Sequence, residues 1–117
     1  MNIADISTTY KSTTILDGAL ETEAIELEYG QTLVGIFHPI MDVSAVIGIK
    51  VSEDGVAYVP LEDGLGAIYA VGFDSTIAGF VPILSPETFL GFRFLKLTVP
   101  DAQVGDKVLR LAVRPIL

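Results

Sequence analysis

Apolar positions recur along this chain with a period of two, in short runs broken by glycine, proline and aspartate. EAIELEY (23–29) places Ile25, Leu27 and Tyr29 on one side and Ala24, Glu26 and Glu28 on the other, as a half-buried strand requires. TLVGIF (32–37) is apolar on both sides, the pattern of a central strand. AVIGIKV (45–51) turns Ala45, Ile47, Ile49 and Val51 inward, with Gly48 and Lys50 outward. Asp54-Gly55 then predicts a tight turn, because glycine takes positive φ without strain. In VAYVPL (56–61), Pro60 has no N–H for a ladder and predicts an edge strand.

Gly64, Gly66, Gly72 and Gly79 punctuate residues 62–84, where strands near 67–72 and 78–84 fit best, with Asp74-Ser75 turning between them. Ser85-Pro86-Glu87-Thr88 is a helix start, but Gly91 follows so soon that only one helical turn fits, near 86–90. GFRFLKLTV (91–99) sets Phe92 and Phe94 against Leu95 and Leu97. KVLRLAV (107–113), after a loop from Pro100 to Asp106, buries Leu109, Leu111 and Val113 and leaves Arg110 and Arg114 outside.

No segment sustains a helical period. About eight short strands at regular spacing predict an all-β fold, a single antiparallel β-sandwich of jelly-roll type, over 15–117. MNIADISTTYKS is polar, so residues 1–14 are expected to form an N-terminal arm. The length of 117 residues fits one domain with a core of its own.

Half of the residues are hydrophobic, yet no run is long enough to span a bilayer. No basic segment precedes an apolar stretch, so no secretory signal is expected. Fifteen acids against seven bases give a charge of −8, which argues against nucleic acid as a partner, since phosphate binding needs clustered cations. Eleven acids and two bases fall in residues 1–63, and four acids and five bases in 64–117.

Catalytic chemistry finds few candidates. His38 is the single histidine and there is no cysteine, which leaves no zinc set of histidine or cysteine type. Directly before Pro39, His38 reads as structural or solvent-facing. Glu53-Asp54 and Glu62-Asp63-Gly64 lack the spacing of a calcium loop. Glu21, Glu23, Glu26 and Glu28 are numerous enough for a glycosidase pair, but Glu26 and Glu28 fall on a solvated face. GLGAIYAVG lacks the spacing of a phosphate-binding loop. An aromatic platform for sugar would have Tyr10, Tyr58 or Tyr69, without tryptophan. Neither an enzyme nor a cofactor is expected, and Ser52, Glu53 and Asp54 read as turn chemistry.

Three stretches carry a family likeness: VSEDGVAYVPL (51–61), SPETFLGFRFLKL (85–97) and LRLAVRPIL (109–117). With Val34-Gly35-Ile36-Phe37-His38-Pro39, their order resembles small phage and prophage virion proteins from head-assembly genes. Pro86, Phe89, Gly91, Arg93, Phe94, Leu95 and Lys96 match one family segment, and Arg114-Pro115 its C-terminal pair. The resemblance spans residues 20–117 and departs at 62–80, where GLGAIYAVGF replaces an acidic tract.

It implies a capsid decoration (cement) protein that binds the major capsid protein on the virion surface, is made in the host cytoplasm, and forms a dimer or trimer. The alternative is a carbohydrate-binding β-sandwich module. For a docking protein, the sparse apolar groups Ile3, Ile6 and Tyr10 suit an arm that orders on its partner. Glu26 and Glu28 then favour a basic patch there.

Overall fold

The computed structural model describes residues 8–28, 30–42, 46–83 and 92–115. Among the described residues, nine strands form two antiparallel sheets. The first sheet has the order β1 (Thr9–Ile15), β9 (Lys107–Pro115), β3 (Gln31–His38), β7 (Gly79–Pro82). The second runs β2 (Ile25–Glu26), β8 (Phe94–Thr98), β4 (Val46–Ser52), and both β5 (Val59–Pro60) and β6 (Ala70–Gly72) lie along the free side of β4. Most successive strands alternate between the sheets, which gives the crossing connections of a jelly roll. The expected fold is the observed one.

The two inner faces meet in one core. β9 contributes Leu109, Leu111 and Val113, β8 Leu95 and Leu97, β4 Ile47, Ile49 and Val51, and β3 Leu33 and Ile36. On β4, β8 and β9 these are the inward positions that alternation predicts. A bulge between Leu33 and Gly35 shifts the register of β3 against β9, so Leu33 and Ile36, three apart, both point inward.

Several elements differ from expectation. Residues 9–14, expected in the arm, belong to β1 and pair with β9 from Thr9↔Val113 to Thr14↔Val108. The run 23–29 shortens to a two-residue strand, although Ile25 and Leu27 are buried as expected. Phe94 keeps the side opposite Leu95 and Leu97 that the pattern gives it, half-buried on the outer face. The helical turn near 86–90, Tyr29, Ala45 and residues 1–7 lie outside the described residues.

The turns follow from their side chains. Ser52 Oγ accepts the N–H groups of Asp54 (3.3 Å) and Gly55 (2.9 Å), and Asp54 Oδ1 accepts those of Val56 (2.8 Å) and Ala57 (3.0 Å). With Gly55 at φ 78°, this caps the turn as far as residue 57, so β5 begins only at Val59. Pro60 sits there on the edge, as its missing N–H demands. At one end of the sandwich the buried Gln103 ties three loops together. Its Oε1 accepts from Asp42 N (2.7 Å), its Nε2 donates to Asp42 O (2.9 Å), and its carbonyl accepts from Gly18 N (2.9 Å).

Leu111→Ala is expected to cost about 2–5 kcal/mol, because it removes a fully buried side chain and leaves a cavity. Phe94→Ala should cost less, about 1–2 kcal/mol, because only part of its ring leaves water. Urea denaturation of both variants checks the facing of β8 and β9; equal losses would contradict it.

Candidate docking surface

The outer face of the four-stranded sheet is built from residues that alternate with the core. Arg110 stands between Leu109 and Leu111, and Phe37 between Ile36 and His38. Register places Phe37 beside both Arg110 and Phe80. Tyr10 on β1 completes the row. The ring centroids of Tyr10 and Phe37 are 5.9 Å apart, and those of Phe37 and Phe80 4.7 Å, with interplanar angles of 52° and 51°. Arg110 Cζ lies 4.8 Å from the Tyr10 centroid and 5.5 Å from that of Phe37. Each such ring pair contributes about 0.5–1.5 kcal/mol, and an exposed cation over a ring about 0.5–1 kcal/mol.

A glycine makes room for this row. A Cβ on Gly35 would lie 2.1 Å from Phe80 Cζ, so the ring rests directly on the β3 backbone. The stripe stays open to solvent: Tyr10 is 49% exposed, Phe37 38% and Phe80 46%. Arg110 has no carboxylate partner among the described residues. The four strands of this sheet hold Lys11, Lys107, Arg110 and Arg114 and not one acid, in a chain with fifteen acids.

The other sheet carries its charges in pairs. Lys50 and Lys96 are register partners, and Glu21 neutralises both, at 2.8 Å and 3.2 Å. Lys96 Nζ also lies 4.7 Å from the Tyr58 ring centroid. Arg93 pairs with Glu26. The hydrogen bonds from Lys50 and then Lys96 hold the Glu21 carboxyl below its ordinary value of 4.5. Asp42, Asp54 and Asp63 are lowered too, chiefly by backbone N–H donors, and Asp74 by Thr76.

The residues expected to bind a partner do not form one surface. Tyr10 belongs to the aromatic stripe. Glu26 faces outward from the opposite sheet, beside Arg93, and its carbonyl accepts from Lys11 Nζ (2.8 Å). Glu28 is exposed, and its N–H donates to Gln31 Oε1 (3.1 Å) in the turn before β3. Ile3 and Ile6 lie outside the described residues. Phe37, Phe80 and Arg110 are additional to that expected set; the available signal was an aromatic residue on the solvent side of a two-layer fold.

His38 is buried, 4.6 Å from Phe73 between ring centroids, with Nδ1 2.9 Å from the Pro39 carbonyl. Among the described residues no group of three or more His, Asp or Glu side chains is placed to hold a metal ion. No described helix is long and apolar enough to cross a membrane.

The fold is similar to that in the crystal structure of SPBc2 prophage-derived protein YomS. The TM-score is 0.53 at 15% identity, over 96% of this chain and 99% of that one. At this identity the likeness is one of fold. No protein-family model and no curated protein matches the chain.

Glu21 gives a pH prediction. A carboxyl whose folded pKa is depressed stabilises the fold above its unfolded pKa and loses that contribution as pH falls through the folded one. Thermal stability is therefore expected to decline as pH drops below about 4.5. Glu21→Gln should make the decline shallower. At neutral pH it should cost less than about 1 kcal/mol, because the triad is partly exposed and screened by water. Melting temperature against pH for both proteins tests this; superimposable acid limbs would contradict it.

Proposed function

We propose that this chain is a non-enzymatic structural protein of a phage virion, a capsid decoration protein that binds and stabilises the shell of the major capsid protein. The observation that carries the reading is the exposed Tyr10–Phe37–Phe80 stripe with Arg110 stacked across it. Aromatic residues and arginine are the types enriched at protein interface cores and hot spots. Of the large hydrophobic side chains exposed among the described residues, Tyr10, Phe37 and Phe80 stand together in one patch, and contiguous apolar patches mark interaction sites. A fold shared along nearly the whole of a prophage-derived protein supports the phage setting.

In this reading the protein is made in the host cytoplasm and ends on the capsid surface. Residues 1–7, with Ile3 and Ile6, precede β1 in sequence and supply a second contact to the capsid. Carbohydrate binding is the second reading, favoured by the same exposed aromatic row. Sugar rings stack on flat platforms, however, and these rings are tilted by about 50° to one another. Protein docking fits that geometry better.

Co-sedimentation decides between them. The purified chain should pellet with undecorated capsids of its phage and stay in solution with insoluble polysaccharide. Deleting residues 1–7 should weaken capsid binding and leave the melting temperature unchanged, because β1 begins at Thr9. Pelleting with polysaccharide alone would reverse the reading.

A further inference from the structure

Charge is divided between two parts of this molecule. The strands of the four-stranded sheet carry four bases and no acid, while the rest of the chain carries fifteen acids against three bases. Residues 51–92 contain no lysine or arginine at all. Within that stretch, residues 62–68 leave the edge of the five-stranded sheet as a narrow hairpin. Its legs are joined by the Glu62↔Ile68 bridge and by Asp63 N–H to Ala67 O (2.9 Å).

The tip of this hairpin holds an apolar side chain out into water. Asp63 Oδ1 accepts the N–H groups of Leu65 (2.6 Å) and Ala67 (3.1 Å), and Gly64 and Gly66 take positive φ on either side of Leu65. Leu65 is 91% exposed, and Ile68, back along the hairpin, 63%. A fixed turn that presents leucine beside acids is the physical complement of a face that presents aromatic rings around an arginine without a carboxylate partner among the described residues. The two surfaces lie on different sides of the sandwich, so one copy cannot bring its own pair together.

We propose that the 62–68 hairpin of one copy docks on the Tyr10–Phe37–Phe80 face of a second copy, with Leu65 against the rings and Glu62 facing Arg110. Stacking occupies the flat of the Arg110 guanidinium and leaves its edge N–H groups for a carboxylate. Such a contact is heterologous, so it repeats from copy to copy and closes into a ring when the rotation allows. It goes beyond the capsid reading, because association of the free chain needs no capsid; since both contacts use one face, a copy docked on the capsid through its stripe cannot also hold a neighbour's hairpin there.

Sedimentation equilibrium of the full chain at low and high salt tests it. Wild type should associate reversibly, and less at high salt. Leu65→Ser and Arg110→Gln should each raise the dissociation constant at least about tenfold with unchanged circular dichroism. Arg110→Glu and Glu62→Lys should each be monomeric alone and associate when mixed, because the mixture brings together both the native Glu62–Arg110 pair and the swapped Lys–Glu pair. Glu62 suits the swap because Asp63, not Glu62, caps the turn. A wild type that stays monomeric at every concentration overturns the proposal, whatever capsid co-sedimentation gives. Association that survives Leu65→Ser and Arg110→Gln overturns it too, as does a charge-swapped mixture that stays monomeric.

Discussion

The alternation of β9 is the constraint on which the rest of this structure depends. The strand runs between β1 and β3, and sends Leu109, Leu111 and Val113 into the core between the sheets. A side-chain period of two leaves no freedom after that. Arg110 must point away from the core, and register sets it beside Phe37 on β3 and Ser12 on β1. A slip of one residue would bury the arginine and expose the leucines. The same packing that stabilises the sandwich therefore also sets out the aromatic and cationic face.

A two-layer fold covers one face of each sheet, and the two outer faces of this sandwich meet that limit differently. On the five-stranded sheet, Glu21 pairs with Lys50 and Lys96, and Arg93 with Glu26, all partly exposed. On the four-stranded sheet, rings stand open around one arginine without a carboxylate partner among the described residues. The first face meets water with its charges paired, and the second with exposed rings around an arginine. Burying the rings and pairing Arg110 would remove from water the apolar area it now contacts. The proposed docking follows from that difference.

Much of the fold was legible because alternation reports facing directly. Ile47, Ile49 and Val51 on β4, and Leu109, Leu111 and Val113 on β9, are buried where the pattern puts them. Pro60 and Gly55 announce the edge and the turn through backbone chemistry. β1 was not legible. TYKSTTI has Thr13 and Ile15 as its buried residues, and its strand conformation comes from pairing with β9, a tertiary contact that no local pattern records. Gln103 looks like a loop residue in sequence, and only the approach of three loops makes it a buried knot. The stripe was hidden for another reason. An outward Phe37 in an apolar run reads as core until the number of layers is known.

Chemical labelling of tyrosine is the most direct test of whether this face is covered in the working protein. Tyr10 is half exposed in the free chain, and the partly exposed Tyr69 lies away from the stripe as an internal reference. Labelling is measured by mass spectrometry on the dilute chain and on intact virions. If the stripe is the docking face, Tyr10 is modified in the dilute chain and protected in the virion relative to Tyr69. Equal modification of Tyr10 in both states would contradict that role.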